Sequence, residues 1–125
     1  MEIRTVLIVD DEHDIRVCLR QVLEAEGYFV VSAADGRSAI QLLEHISPPD
    51  VVLFDINMPL MNGDQFLQAV RSNPKTQSIP MLQMSAAGAA RREGVLGVLS
   101  KPFGLEQILK AIETCLERNL EQSKT

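Results

Sequence analysis

Five short apolar runs, each followed or preceded by a stretch with helical spacing, limit this chain to very few folds. Thr5-Val6-Leu7-Ile8-Val9 and Val51-Val52-Leu53-Phe54 are continuous and rich in β-branched residues. Runs of that kind predict strands buried on both faces. Tyr28–Ser32, Ile79–Met84 and Val95–Leu99 are read as further strands, with Pro80 near a strand start, where its missing donor is tolerated. From Glu12 to Glu26, Ile15, Leu19, Val22 and Leu23 recur at helical spacing, and Gly27 is the stop. A second helix follows Asp35-Gly36, carries Ala39, Ile40, Leu42, Leu43 and Ile46, and ends at Ser47-Pro48-Pro49. A third begins near Gly63, turns Phe66, Leu67 and Val70 inward, and breaks at Asn73-Pro74. The last begins near Gly104 with Leu105, Ile108, Leu109, Ile112 and Leu116 on its apolar side. Buried strands alternating with amphipathic helices imply a parallel sheet covered on both faces, joined by right-handed crossovers. The expected fold class is α/β, a doubly wound five-stranded parallel sheet.

A chain of 125 residues is one domain's worth. The expected domain is 1–121, followed by a polar tail, 122–125. Lys and Arg number 12 against 17 Asp and Glu, a net charge of −5. Such a domain lacks the basic footprint that phosphate backbones require, so direct nucleic-acid binding is not expected. No apolar run is long enough to span a bilayer or to serve as a signal-peptide core, and the expected location is cytoplasmic. Cys18 and Cys115 lack metal-ligand spacing and read as two reduced, partly buried thiols. His13 reads as a surface residue, and His45 suits the negative end of a helix dipole.

In an open α/β sheet, ligands bind beyond the carboxyl ends of the strands. Asp10 and Asp11 follow the first strand, Asp55 the third, Ser85 the fourth, and Lys101 the fifth. Carboxylates gathered there repel one another, and at least one pKa should rise without a counter-charge. A hard divalent cation such as Mg2+ removes that problem, whereas the absence of a His or Cys cluster argues against zinc. A lysine at the same edge implies that an anion also comes. A carboxylate nucleophile, a metal, a lysine and a hydroxyl are the parts for phosphoryl transfer.

Asp10-Asp11, the stretch Asp55-Ile56-Asn57-Met58-Pro59-Leu60-Met61-Asn62-Gly63, Ser85-Ala86 and Lys101-Pro102-Phe103 together resemble the receiver domain of two-component response regulators. The resemblance covers nearly the whole chain. It implies a flavodoxin-like (βα)5 sheet in the order 2-1-3-4-5. It implies that Asp55 is the phosphoacceptor, taking a phosphoryl group from a phosphohistidine on a sensor histidine kinase or phosphotransfer protein. Asp11 would bind Mg2+ (or Mn2+) directly, with Asp10 often acting through water, and Asp55 and the backbone carbonyl of Asn57 completing the protein's ligands. Lys101 would pair with Asp55 and then with the phosphoryl oxygens. The Ser85 hydroxyl would move toward the phosphoryl group. Pro102 would follow Lys101 through a cis peptide bond, an isomer rare outside proline. The resemblance implies a signalling domain that assists its own phosphorylation and dephosphorylation but turns over no free substrate. Its output would pass to a separate protein, a C-terminal effector domain or a homodimer partner, with no membrane involved.

The chain departs from the family pattern in two places. The stretch from Ser85 to Lys101 is short, so the fourth helix is expected over Gly88–Glu93 at most, or as an irregular loop. Val98 stands where many receivers carry Tyr or Phe, the ring that rotates with the Ser or Thr. A phosphorylation-independent interaction module, a pseudo-receiver, is the alternative these departures favour. An aspartyl-phosphate phosphatase or mutase fits less well, because Asp55-Ile56-Asn57 lacks the second acid that such enzymes use. A flavodoxin-like cofactor carrier also fits poorly, since the first loop is acidic and there is no GxGxxG or GxxxxGK stretch.

Overall fold

The computed structural model of the chain describes residues 3–123, and side chains as far as residue 118. Its elements run β1 (Thr5–Val9), α1 (His13–Ala25), β2 (Phe29–Ala33), α2 (Gly36–His45), β3 (Val51–Asp55), α3 (Gly63–Ser72), β4 (Met81–Ala86), β5 (Gly97–Lys101) and α4 (Leu105–Ser123). All strand pairings are parallel, in the order β2-β1-β3-β4-β5. The chain therefore winds one way from β1 to β2, then the other way through β3, β4 and β5. This is the doubly wound flavodoxin-like sheet. Its switch point lies between the carboxyl ends of β1 and β3, where Asp10 and Asp55 stand.

Strand period two sorts the apolar residues into two layers. Leu7, Val9, Val52, Phe54 and Met81 face α2 and α3, where they meet Leu43, Phe66 and Val70. Val6, Ile8, Leu53, Leu82 and Met84 face α1 and α4, where they meet Leu19, Leu23, Ile108 and Ile112. Because both faces are covered, β1 and β3 read as unbroken apolar runs in the sequence. Helix starts follow local chemistry. The Asp35 carboxylate accepts the Ser38 N–H at 2.8 Å. Asn62 and Gln65 form a reciprocal capping box at the start of α3.

Several details differ from the sequence reading. β4 begins at Met81 rather than Ile79, because Pro80 has no N–H for the ladder; its carbonyl still accepts the Val52 N–H at 2.9 Å. The strand runs on to Ala86, which places Ser85 inside it, opposite Ser100. β5 begins at Gly97, two residues later than expected: Val95 is buried but belongs to the preceding loop. Cys18 is exposed, at the edge of a groove between α1 and the Pro102–Leu105 segment, whereas Cys115 is buried in the α1–α4 layer. Burial pushes the Cys115 thiol up to about 11. The expected 122–125 tail begins within α4, and Lys124 and Thr125 lie outside the described residues.

Between β4 and β5 the chain forms an irregular loop with no helix. Gly88 and Gly94 adopt positive φ of 88° and 90° at its turns. The Arg71 guanidinium, on α3, donates to the carbonyls of Gln77, Ile79 and Gly94 at 2.7, 2.9 and 2.8 Å. Gln83, in β4, bonds the loop backbone from below. Among the described residues, no helix is long and apolar enough to cross a membrane.

Candidate functional site

Asp10 continues β1 by one backbone hydrogen bond, its N–H donating to the Ala33 carbonyl at 3.2 Å. Its side chain is fully buried. One carboxylate oxygen accepts the Glu12 N–H at 2.9 Å, which ties Asp10 to the entry of α1. The Arg16 guanidinium reaches back from α1 to the Asp10 carbonyl at 2.6 Å. Asp55 ends β3 and is also buried. Its Oδ1 accepts the Asn57 N–H at 3.0 Å, which starts the loop to α3. In that loop Met58 is buried as an anchor, while Leu60 takes a positive φ of 68° and is exposed. The loop closes where the Gly63 N–H donates to the Ile56 carbonyl at 3.0 Å.

Lys101 brings β5 to the same place. Its Nζ lies 3.1 Å from Asp10 Oδ2 and 3.0 Å from Asp55 Oδ2, so one ammonium bridges the two buried carboxylates. Glu12 lies at 4.0 Å on the open side. Asp11 is exposed, and ligand oxygens of Asp10, Asp11 and Asp55 all fall within 4.8 Å of one another. The Lys101–Pro102 peptide bond is cis.

The electrostatics of this cluster are lopsided. Burial raises the Asp10 pKa, and the Glu12 N–H and Lys101 offset it only in part. For Lys101, burial acts to lower the pKa, but the hydrogen bond to Asp55 and the charge of Asp10 outweigh it and hold the ammonium above the usual lysine range. The two directions are compatible. Lys101 is partly solvated and shared by two acids, whereas Asp10 has lost its water. The pocket holds the Lys101 ammonium firmly and still offsets the buried charge of Asp10 only in part. Oxygen donors with this deficit suit a hard divalent cation.

The structure thus gathers Asp10, Asp11, Asp55 and Lys101. Ser85 is buried near the end of β4, one residue beyond the Asp55–Met84 pair, and its Oγ accepts a hydrogen bond from Gln83 Nε2 at 3.2 Å. Asn57 is tied to Asp55 through its backbone. Sequence reasoning missed Glu12, Arg16 and Gln83, which fix the first loop and the Ser85 hydroxyl.

The sequence pattern of the response regulator receiver domain matches residues 6–113. The chain belongs to the response regulator receiver domain family. That family is one of signalling domains rather than classical enzymes. The receiver is 38% identical over 115 residues to a probable chemotaxis protein CheY of Rhizobium etli, covering 86% of this chain and 88% of that protein. Its structure is similar to that of the chemotaxis response regulator CheY4 of Vibrio cholerae, with a TM-score of 0.85, 34% identity, and 92% of this chain and 100% of that chain covered. The fold also matches the receiver domain of the sensor histidine kinase PA1611 of Pseudomonas aeruginosa, with a TM-score of 0.84, 20% identity, and coverage of 93% of this chain and 99% of that chain. That structure contains a magnesium ion coordinated in its active-site cleft. The receiver spans about half the length of the transcriptional regulators it also matches.

Proposed function

We propose that this receiver accepts a phosphoryl group on Asp55 from a phosphohistidine on a sensor histidine kinase or a phosphotransfer protein. The observation that carries this reading is the Lys101 ammonium bridging Asp10 and Asp55 at the switch point of the sheet. In the transfer, the P–N bond to the histidine breaks and a P–O bond to an Asp55 carboxylate oxygen forms. The imidazole nitrogen keeps the electron pair of the broken bond and takes up a proton. Asp55 needs no deprotonating base if it reacts as the carboxylate, and Lys101 keeps that anion paired until the phosphoryl group arrives. The Asn57 N–H holds Asp55 Oδ1 and so restricts the carboxylate's rotation. Lys101 then turns to the phosphoryl oxygens, which bring about −1.5 to −2 charges. The Ser85 hydroxyl donates to one of those oxygens.

Asp10, Asp11, Asp55 and the Asn57 carbonyl are the residues that would hold Mg2+ or Mn2+. A bound divalent ion would offset the charge of the phosphoryl group and of the acids around it. The fit rests on this chain's own donors, all hard oxygens, and on a buried Asp10 whose charge Lys101 offsets only in part. The domain turns over no free substrate and works in the cytoplasm. It passes its state to an effector protein or to an effector domain of a longer chain, and touches neither DNA nor membrane itself.

The test is to locate the modified residue. After loading with a small acyl-phosphate donor and Mg2+, borohydride reduces an aspartyl phosphate and leaves unmodified aspartate untouched. Peptide sequencing should find the reduced residue at position 55. Reduction at another aspartate would overturn the assignment.

A further inference from the structure

Gln83 is the buried polar residue that phosphoryl chemistry does not explain. Among the described residues, the other buried polar or charged side chains are Asp10, Asp55, Ser85 and Thr76. Asp10 and Asp55 line the site, Ser85 follows the Met84 that pairs with Asp55, and Thr76 caps a turn by donating to the Val70 carbonyl at 2.7 Å. Gln83 sits in β4 with no exposure, between Phe54 on β3 and Val98 on β5. An amide in such an apolar layer is costly unless every polar atom is bonded. Its bonds go to two different places. Nε2 donates to Ser85 Oγ at 3.2 Å and to the Ala90 carbonyl at 2.9 Å. Oε1 accepts the Arg92 N–H at 2.7 Å. One rigid amide plane therefore links the Ser85 hydroxyl to both ends of the Ala90–Arg92 segment.

We propose that Gln83 is a positioning residue that transmits the state of Ser85 to the loop between β4 and β5, replacing an aromatic side chain at Val98. The proposal rests on the reading of Asp55 as phosphoacceptor. Ser85 Oγ accepts from Gln83, so its own proton stays available for a phosphoryl oxygen. When Ser85 turns toward that oxygen, Nε2 either follows or loses its acceptor. In both cases the amide must shift, and the Ala90 carbonyl and Arg92 N–H shift with it. Val98 has no ring to carry the motion. The change reaches the surface at Arg92, whose guanidinium pairs with Asp64 at the start of α3 at 2.6 Å and with the Ala90 carbonyl at 2.7 Å. The loop and the α3 start would be read together by an effector.

The experiment is nuclear magnetic resonance of the 15N-labelled receiver with Mg2+, before and after phosphorylation by a small acyl-phosphate donor, with intact mass recorded on each sample. In the wild type, the Gln83 side-chain amide signals and the backbone amides of Ala90–Arg92 should shift together once the adduct forms. In Gln83→Met, the adduct should still form and the Ser85 backbone amide should still shift, but the Ala90–Arg92 response should be lost. A static role for Gln83 would not make that response depend on phosphorylation. A phosphorylated wild type whose Gln83 side-chain signals stay in place overturns the proposal. So does a Gln83→Met variant whose loop responds as in the wild type. If Gln83→Met does not fold, the wild-type side-chain signals decide alone. An unphosphorylated wild type in the mass spectrum marks failure of the phosphoacceptor reading, before any question about Gln83.

Discussion

Lys101 is the residue whose removal should be felt most widely, because it is the cation between two buried acids. Lys101→Met leaves Asp10 and Asp55 facing each other in low dielectric. Breaking a fully buried pair costs roughly 3–5 kcal/mol, and the partial solvation of Lys101 puts this case lower, at about 2 kcal/mol. Denaturant unfolding without metal should show that loss, and added Mg2+ should recover part of it. At Cys115 the sign follows from burial. The unfolded thiol ionises near 9.0 and the folded one only near 11. The folded state then holds its proton where the unfolded state has lost it, so stability should fall as pH rises across that window. Cys115→Ala should flatten this part of the stability–pH curve; an unchanged slope would contradict the assignment. Asp10, Asp11, Asp55 and Lys101 were legible in the sequence because each stands at or just beyond the carboxyl end of an apolar run. Gln83 was not, because in Met81-Leu82-Gln83-Met84 it looks like one polar interruption of a strand. Its partners Ser85, Ala90 and Arg92 meet it only once the loop is folded.

Among the elements, the β3–α3 connection is the least tolerant of change. A Cβ on Gly63 would overlap the Ile56 backbone Cα and lie 2.9 Å from the Asp55 carbonyl oxygen. The first turn of α3 thus packs directly on the strand end that carries Asp55. Gly63→Ala should cost about 1–3 kcal/mol, as overpacking does, and should slow phosphoryl uptake by shifting Asp55. Unfolding midpoints and a time course of adduct formation measure the two effects, and a variant matching the wild type in both would contradict the account. The start of α3 was readable near Gly63, whereas the Asn62–Gln65 capping box emerges only in the structure. The loop after β4 was readable only as a short segment, since it has no periodic pattern. What holds it is long-range: Arg71 from α3, Gln83 from β4, and the Arg92–Asp64 pair. The strand limits were misplaced for a related reason. Pro80 and Val95 are buried like strand residues, and only the hydrogen-bond ladder separates them from β4 and β5.

At the scale of the whole molecule, sheet order decides the chemistry. Placing β1 between β2 and β3 brings Asp10 and Asp11 beside Asp55, and placing β5 outside β4 lets Lys101 reach both buried acids. The alternation of strands and helices in the sequence predicted the sheet, and the family resemblance supplied its order. A cation that binds only the folded pocket stabilises the whole fold, by about 2.7 kcal/mol at a hundredfold excess over its Kd. Mg2+ should therefore raise the thermal midpoint, and Asp11→Asn should abolish most of the rise. An equal rise in the variant would place the ion elsewhere. The central claim is tested most directly by intact mass after incubation with a small acyl-phosphate donor, with Mg2+, with chelator, and in Asp55→Asn. The account expects a single phosphoryl adduct that appears only when both Mg2+ and Asp55 are present. No adduct on the folded wild type, or an adduct that survives in Asp55→Asn, would contradict it.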